Sequence, residues 1–145
     1  MASLPFHRPQ QLTLGPLETE ILNIIWDLNA DQEVSIAVKD ILDQILANPD
    51  RELAYASVMT VLNRLAKKGW LTSHKQGKVL YWEALVSRQE AQVLQAYNQL
   101  NRFLAIGNPD IVAAFADSLD NSSLEKLDAI ALRLKTIREA REEEK

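Results

Sequence analysis

The stretch LAYASVMTVLNRLAKKGWLTSHKQGKVLYW, Leu53–Trp82, carries five basic residues (Arg64, Lys67, Lys68, Lys75 and Lys78) and no Asp or Glu. The 145-residue chain as a whole holds 16 Lys+Arg against 20 Asp+Glu. A local excess of base inside an acidic protein creates its own field, and the partner that field attracts is a polyanion. The apolar pattern within the stretch predicts a helix from about Ala56 to Lys68. Val58, Leu62 and Leu65, with Val61 alongside, fall on one face, and Thr60, Asn63, Arg64 and Lys67 on the opposite one. Lys67, Lys68 and Gly69 form a stop signal: cations at the negative end of the helix, then a residue free to adopt positive φ. Trp70–His74 and Val79–Leu85 are short aromatic and β-branched runs. Lys75-Gln76-Gly77-Lys78 lies between them, so the pair reads as a β-hairpin.

Working back from there, residues 1–13 show no periodicity and read as a flexible or loosely docked arm. A helix is predicted from Gly15-Pro16, with Pro at the first helical position and Glu18 and Glu20 near the positive end of the dipole. Leu17, Ile21, Leu22, Ile24, Ile25 and Leu28 repeat at helical spacing, and polar Asn29–Glu33 breaks the pattern. Ser35 reads as the N-cap of a second helix, with Ile36, Val38, Ile41, Leu42, Ile45 and Leu46 as its buried stripe. Asn48-Pro49-Asp50 ends it. Three helices and a hairpin within residues 14–86 predict a winged helix-turn-helix domain.

Forward of the hairpin, residues 87–145 read as helical throughout. Ser87–Ile106 is one helix, ended by Gly107-Asn108-Pro109. Residues 110–119 form a short apolar one, and the capping box Ser122-Ser123-Leu124-Glu125 opens the last, which fades into Arg141–Lys145. The apolar residues of this region have nothing else to cover them, which predicts a homodimer through Leu100, Phe103, Leu104, Ile111, Val112, Phe115, Leu119, Leu127 and Leu134. The expected fold class is mainly α with a small β-hairpin wing, followed by a helical dimerisation region.

A hydrophobic share of 47% with 25% charged residues is that of a globular protein. With no cysteine, disulfides, thiolate metal sites and Cys nucleophiles are excluded. His7 and His74 are the only histidines and make a poor metal set, so neither a metal nor a cofactor is expected. No apolar run reaches the roughly 20 residues of a membrane span. The N-terminus MASLPFHRPQQ lacks the layout of a secretory signal, so the expected location is cytoplasmic. No paired-carboxylate, phosphate-loop or nucleophile-elbow motif is present, and no catalytic residue is assigned.

A major groove about 12 Å wide admits one helix, whose short polar side chains touch base edges. Tyr55, Ser57, Thr60, Asn63 and Arg64 are the candidates for that role. Met59 either meets a thymine methyl or packs. Lys67, Lys68, His74, Lys75 and Lys78 are the candidates for phosphate contact, which supplies affinity and register but little sequence information. Trp26, Trp70 and Trp82 are expected in the core. The competing reading is a winged-helix protein-interaction module, since fold does not fix function. Such a module would show mixed charge or an apolar patch on the third helix, where this chain shows uncompensated base.

LETEILNIIW at 17–26, SVMTVLNRLAKKGWL at 57–71 and the aromatic pair Tyr81-Trp82 resemble the penicillinase repressor (BlaI/MecI) family. Thr60, Leu62, Asn63, Arg64, Leu65, Lys67, Lys68 and Gly69 stand in the family's order. The resemblance covers residues 17–88 and implies a homodimeric winged-helix repressor on a short palindromic operator, with the third helix reading DNA. Two departures from the family narrow what the resemblance implies, the first excluding a sensing mode and the second leaving one open. The copper-responsive branch ends in Cys-x-Cys pairs that this chain lacks. The β-lactam branch is released by a protease, unidentified for this chain, at an Asn-Phe bond. The nearest match here is Ala114-Phe115, where the Asn is replaced and Phe115 reads as a dimer-core residue.

Overall fold

The computed structural model describes residues 6–30 and 33–144. The elements run α1 (Pro16–Leu28), β1 (Ile36–Ala37), α2 (Val38–Leu46), α3 (Tyr55–Lys68), β2 (Leu71–Gln76), β3 (Val79–Ala84), α4 (Arg88–Leu104), α5 (Pro109–Asp117) and α6 (Asn121–Glu143). They fall into two compact units, residues 1–102 and 103–145.

The first unit is a winged helix. Ile21, Leu22 and Ile25 of α1, Ile41 and Ile45 of α2, and Val58, Val61, Leu62 and Leu65 of α3 form one buried cluster. Trp70 and Trp82 lie within it, Trp70 wholly buried. Burying a large apolar side chain contributes about 1.5–3 kcal/mol, so this cluster fixes how deep α3 sits and which face it leaves outside. Trp26 is half-buried at the margin, where its indole N–H donates to Val86 O at 3.0 Å.

The sheet has the order β1–β3–β2, all antiparallel. Gln76 pairs with Val79, so the wing turns on Gly77-Lys78 alone. Only Gly77 of the two has positive φ, 62°, the type II′ pattern that matches strand twist. The strands therefore extend further toward the tip than the four-residue turn predicted. β1 is a second departure. Ser35 is not a helix cap: Ile36 and Ala37 are extended and pair with Trp82 and Tyr81. The helix then starts at Val38, where the Asp40 carboxylate accepts from Ala37 N–H at 2.9 Å. Ile36 is buried as expected, but as a strand residue.

Residues 6–13 are packed on the first unit rather than free. Pro9 is buried, Gln11 N donates to Lys68 O at 3.2 Å, and the Trp70 indole N–H donates to Gln11 O at 2.9 Å. The rest of the expected arm, residues 1–5, lies outside the described residues, as do residues 31–32 of the predicted break and Lys145 of the tail. The winged unit also runs past the predicted boundary at residue 86. Ala91 and Leu94 of α4 are buried in its core, and Ser87 opens α4 with a reciprocal cap to Glu90.

In the second unit, Asn108 caps α5 with Pro109 at its first position. Asp120, not Ser122, caps α6: its carboxylate accepts from Ser123 N–H at 2.7 Å, and the helix begins earlier than predicted. Neither α5 nor α6 contains a buried residue.

Candidate nucleic-acid interface

The outward face of α3 follows from what its inward face buries. With Val58, Val61, Leu62 and Leu65 turned to the core, the helical period places Tyr55, Ser57, Thr60, Asn63, Arg64 and Lys67 in solvent, and all six are exposed. Tyr55 is the first helical residue. The Thr60 hydroxyl donates to Ala56 O at 2.9 Å, so the side chain offers outward a methyl group and oxygen lone pairs. Met59 is half-buried and packs against the core.

On the wing, His74, Lys75 and Lys78 are exposed. His74 sits opposite Tyr81 in the ladder with ring centroids 5.9 Å apart, a cross-strand pair that stiffens the ribbon. The α3 face and the wing thus present Arg64, Lys67, Lys75 and Lys78 with no acidic residue anywhere from Leu53 to Trp82.

Lys68 departs from expectation. Its ammonium is turned inward, donating to Glu18 Oε1 and to Thr13 O, each at 2.9 Å, and the side chain is 17% exposed. A cation committed to a carboxylate and a carbonyl is not free for a phosphate. Glu18 is the only buried charged residue among those described. Its Oε1 also accepts from Gly15 N–H at 2.7 Å, while Oε2 is buried with no partner. Burial pushes this carboxyl up. The hydrogen bonds from Lys68 and Gly15 and the charges of Lys68 and Arg64 outweigh burial, so the group ends below the usual carboxylate range.

Residue-by-residue reading missed three features of the site: the Glu18–Lys68 pair, the docked arm, and a link just before α3. Arg51, in the loop entering α3, holds Glu20 of α1 through two hydrogen bonds of 2.7 and 2.9 Å. Glu18 and Glu20 were legible only as dipole partners of α1, because ion pairs across 50 and 31 residues leave no local spacing to find.

The nine residues predicted for the dimer all lie on α4, α5 and α6 or the loop after α5. Leu100, Leu104, Ile111, Val112, Phe115, Leu127 and Leu134 are exposed, and Phe103 and Leu119 are half-buried. Phe115 is not buried in the single chain; its ring meets Phe103 at 5.1 Å. Of the seventeen large hydrophobic residues that are exposed among the described residues, eleven fall between Leu100 and Leu134. Among the described residues, no group of His, Cys, Asp or Glu could hold a metal, and no helix is long and apolar enough to cross a membrane.

Over 116 residues the chain is 26% identical to an uncharacterized 16.5 kDa protein of Latilactobacillus sakei, covering 80% of this chain and 73% of that one. It is 25% identical over 109 residues to the methicillin resistance regulatory protein MecI of Mammaliicoccus sciuri and of Staphylococcus aureus, covering 75% of this chain and 83% of each. A solution structure of the Bacillus licheniformis BlaI monomeric form in complex with the blaP half-operator aligns with a TM-score of 0.42 at 23% identity, over 54% of this chain and 87% of that one. Residues 14–133 match the penicillinase repressor family, whose members are transcriptional regulators and not enzymes. The chain, a winged-helix protein across its first unit, belongs to the penicillinase repressor family.

Proposed function

We propose that this repressor binds double-stranded DNA as a homodimer, laying α3 in the major groove and the wing over the adjacent backbone. The observation that carries the reading is the exposed α3 face with its neighbouring wing, basic and without a compensating acid from Leu53 to Trp82. Tyr55, Ser57, Thr60, Asn63 and Arg64 read bases. Lys67, Lys75 and Lys78, with His74, hold phosphates. Lys68 is left out of that set because Glu18 already holds it.

One winged unit offers few phosphate contacts and one short half-site, too little for useful affinity at cellular salt. Two copies at fixed spacing supply both, and a twofold dimer reads a palindrome. The exposed apolar residues of the second unit support the pairing: α5 and α6 bury nothing by themselves, and a second copy would cover them. The same arrangement fits a cytoplasmic protein that needs neither cofactor nor metal. Ala114-Phe115 lacks the Asn of the family's cleavage bond, so release by proteolysis has no motif here.

The test is selection of bound fragments from the source genome by the purified chain. Enrichment of a short inverted repeat is expected. Recovery of fragments at random frequency would replace this reading with that of a protein-interaction module.

A further inference from the structure

The C-terminal end of the recognition helix is held by more directed bonds than its core packing requires. Lys68 Nζ meets Glu18 and Thr13 O, Lys68 O accepts from Gln11 N–H, and His7 Nε2 lies 2.8 Å from Gly69 O. Gly69 takes φ 95°, and a Cβ there would stand 3.1 Å from Pro9 Cα and from Gln10 N, so the arm is seated directly on the helix end. These contacts link three sequence segments, the arm, the start of α1 and the end of α3.

We propose that Glu18 is a positioning residue for DNA reading, acting through Lys68, and that it and residues 7–13 set the axial rotation and tilt of α3. The proposal rests on the reading of α3 as the DNA-contacting helix. Apolar packing is non-directional. Val58, Val61, Leu62 and Leu65 fix how deep α3 lies but resist small rotations weakly, whereas charge-assisted hydrogen bonds have a preferred geometry. Thr60 lies eight residues before Lys68, about 12 Å along the axis at about 1.5 Å per residue. A tilt of about 10° about the clamped end therefore moves Thr60 by about 2 Å. Base-edge hydrogen bonds tolerate only about 0.5 Å, while flexible lysines keep their phosphates through such a shift.

Stability alone does not call for an ion pair at this position, which favours a geometric role. One of the Glu18 oxygens is buried and unpartnered, and a buried ion pair is often no better than an apolar substitute for stability. What such a pair supplies is registry.

The experiment compares Glu18→Gln, Lys68→Gln and the double variant in the full chain. The readout is the ratio of dissociation constants for the selected operator and a scrambled duplex of equal length, at one salt concentration. Each single variant is expected to lower that ratio about tenfold, the cost of one lost base contact. The double variant, with an amide pair in place of the ion pair, is expected to recover most of it. The dependence on salt should not change with Lys68→Gln, because that ammonium touches no phosphate. Single variants that lose thermal stability but keep the ratio would overturn the proposal and reduce the pair to a structural one. If a single variant does not fold, His7→Ala leaves the core and the ion pair intact. There the ratio should fall about threefold, the worth of one exposed hydrogen bond, and an unchanged ratio counts against the clamp. An unsubstituted chain that discriminates no sequence removes the DNA reading together with this proposal. Discrimination by the parent that both single variants share in full removes this proposal alone.

Discussion

Arg51 grips both carboxylate oxygens of Glu20, with Nη1 to Oε2 at 2.7 Å and Nη2 to Oε1 at 2.9 Å, fastening the loop before α3 to α1. The hydrogen bonds from Arg51 hold the Glu20 carboxyl below its ordinary value, against the opposing pull of burial, and the Arg51 charge adds to them. Glu18 is likewise depressed. Both groups bind fewer protons folded than unfolded near their unfolded value of 4.5. Their contribution is complete above that value and is lost as pH falls through the folded ones.

Acid unfolding should therefore begin below about pH 4.5, with stability level from there to neutrality as far as these two groups are concerned. Glu18→Gln should flatten the acid limb of a plot of unfolding free energy against pH, and at pH 7 should cost about 3 kcal/mol, the low end for breaking a buried pair. Denaturant titrations from pH 3 to 7 check both parts. An acid limb of unchanged steepness would show that other carboxylates govern it.

Base reading and phosphate holding should separate by mutation. Ser57→Ala or Thr60→Ala should lower preference for the operator and leave binding to random duplex nearly intact. Lys67→Ala or Lys78→Ala should weaken all DNA alike and reduce the slope of log affinity against log salt by about one. Binding isotherms on both duplexes at several salt concentrations make the comparison, and identical behaviour of the two classes would show that the reading face has been misplaced.

Gly69→Ala should destabilise the winged unit by about 2 kcal/mol. The αL backbone alone costs an L-residue about 1–2 kcal/mol. The new Cβ would also stand 3.1 Å from Pro9 Cα and Gln10 N, displacing the arm. Urea denaturation measures the loss. A loss of about 1 kcal/mol, the low end of the backbone cost alone, would mean that the arm yields without cost.

Leu127→Asp or Leu104→Asp should abolish dimerisation while leaving the first unit folded, because both side chains are exposed in the single chain. Sedimentation at micromolar concentration should show a dimer for the parent and a monomer for each variant, and operator affinity should fall with it. A parent that sediments as a monomer would remove the dimer from the proposal.

The three core helices and the hairpin were legible because each writes its own period. Ile21, Leu22 and Ile25 step as a helix, and Gly77 between β-branched and aromatic runs marks a turn. The α3 face was legible for the same reason, as the complement of Val58, Leu62 and Leu65. Three kinds of feature were not. β1 is two residues long, and Ile36 and Ala37 are extended only because Trp82 and Tyr81 offer them a partner. The docking of residues 6–13 depends on Trp70 and Lys68, more than fifty residues away, so local composition gave no sign of it. Lys68 shows the limit most clearly. In a row of lysines its neighbour Lys67 points outward, and only the position of Glu18 in space distinguishes the two.

The short strand β1 has a mechanical meaning for the wing. It braces β3 at Tyr81 and Trp82, and the ladder continues through Leu80 and Val79 with no strand on that side among the described residues. The tip is thus a cantilever of two residue pairs, about 7 Å long at about 3.3 Å per residue, anchored at its root and loaded by Lys75 and Lys78. Its residues are nearly all exposed, so little packing resists flexing. The root is stiff where Trp82 joins the core, and the end is compliant where the charges sit. If the wing lies over the DNA backbone as proposed, such a lever would follow duplexes of differing groove width without disturbing the alignment of α3.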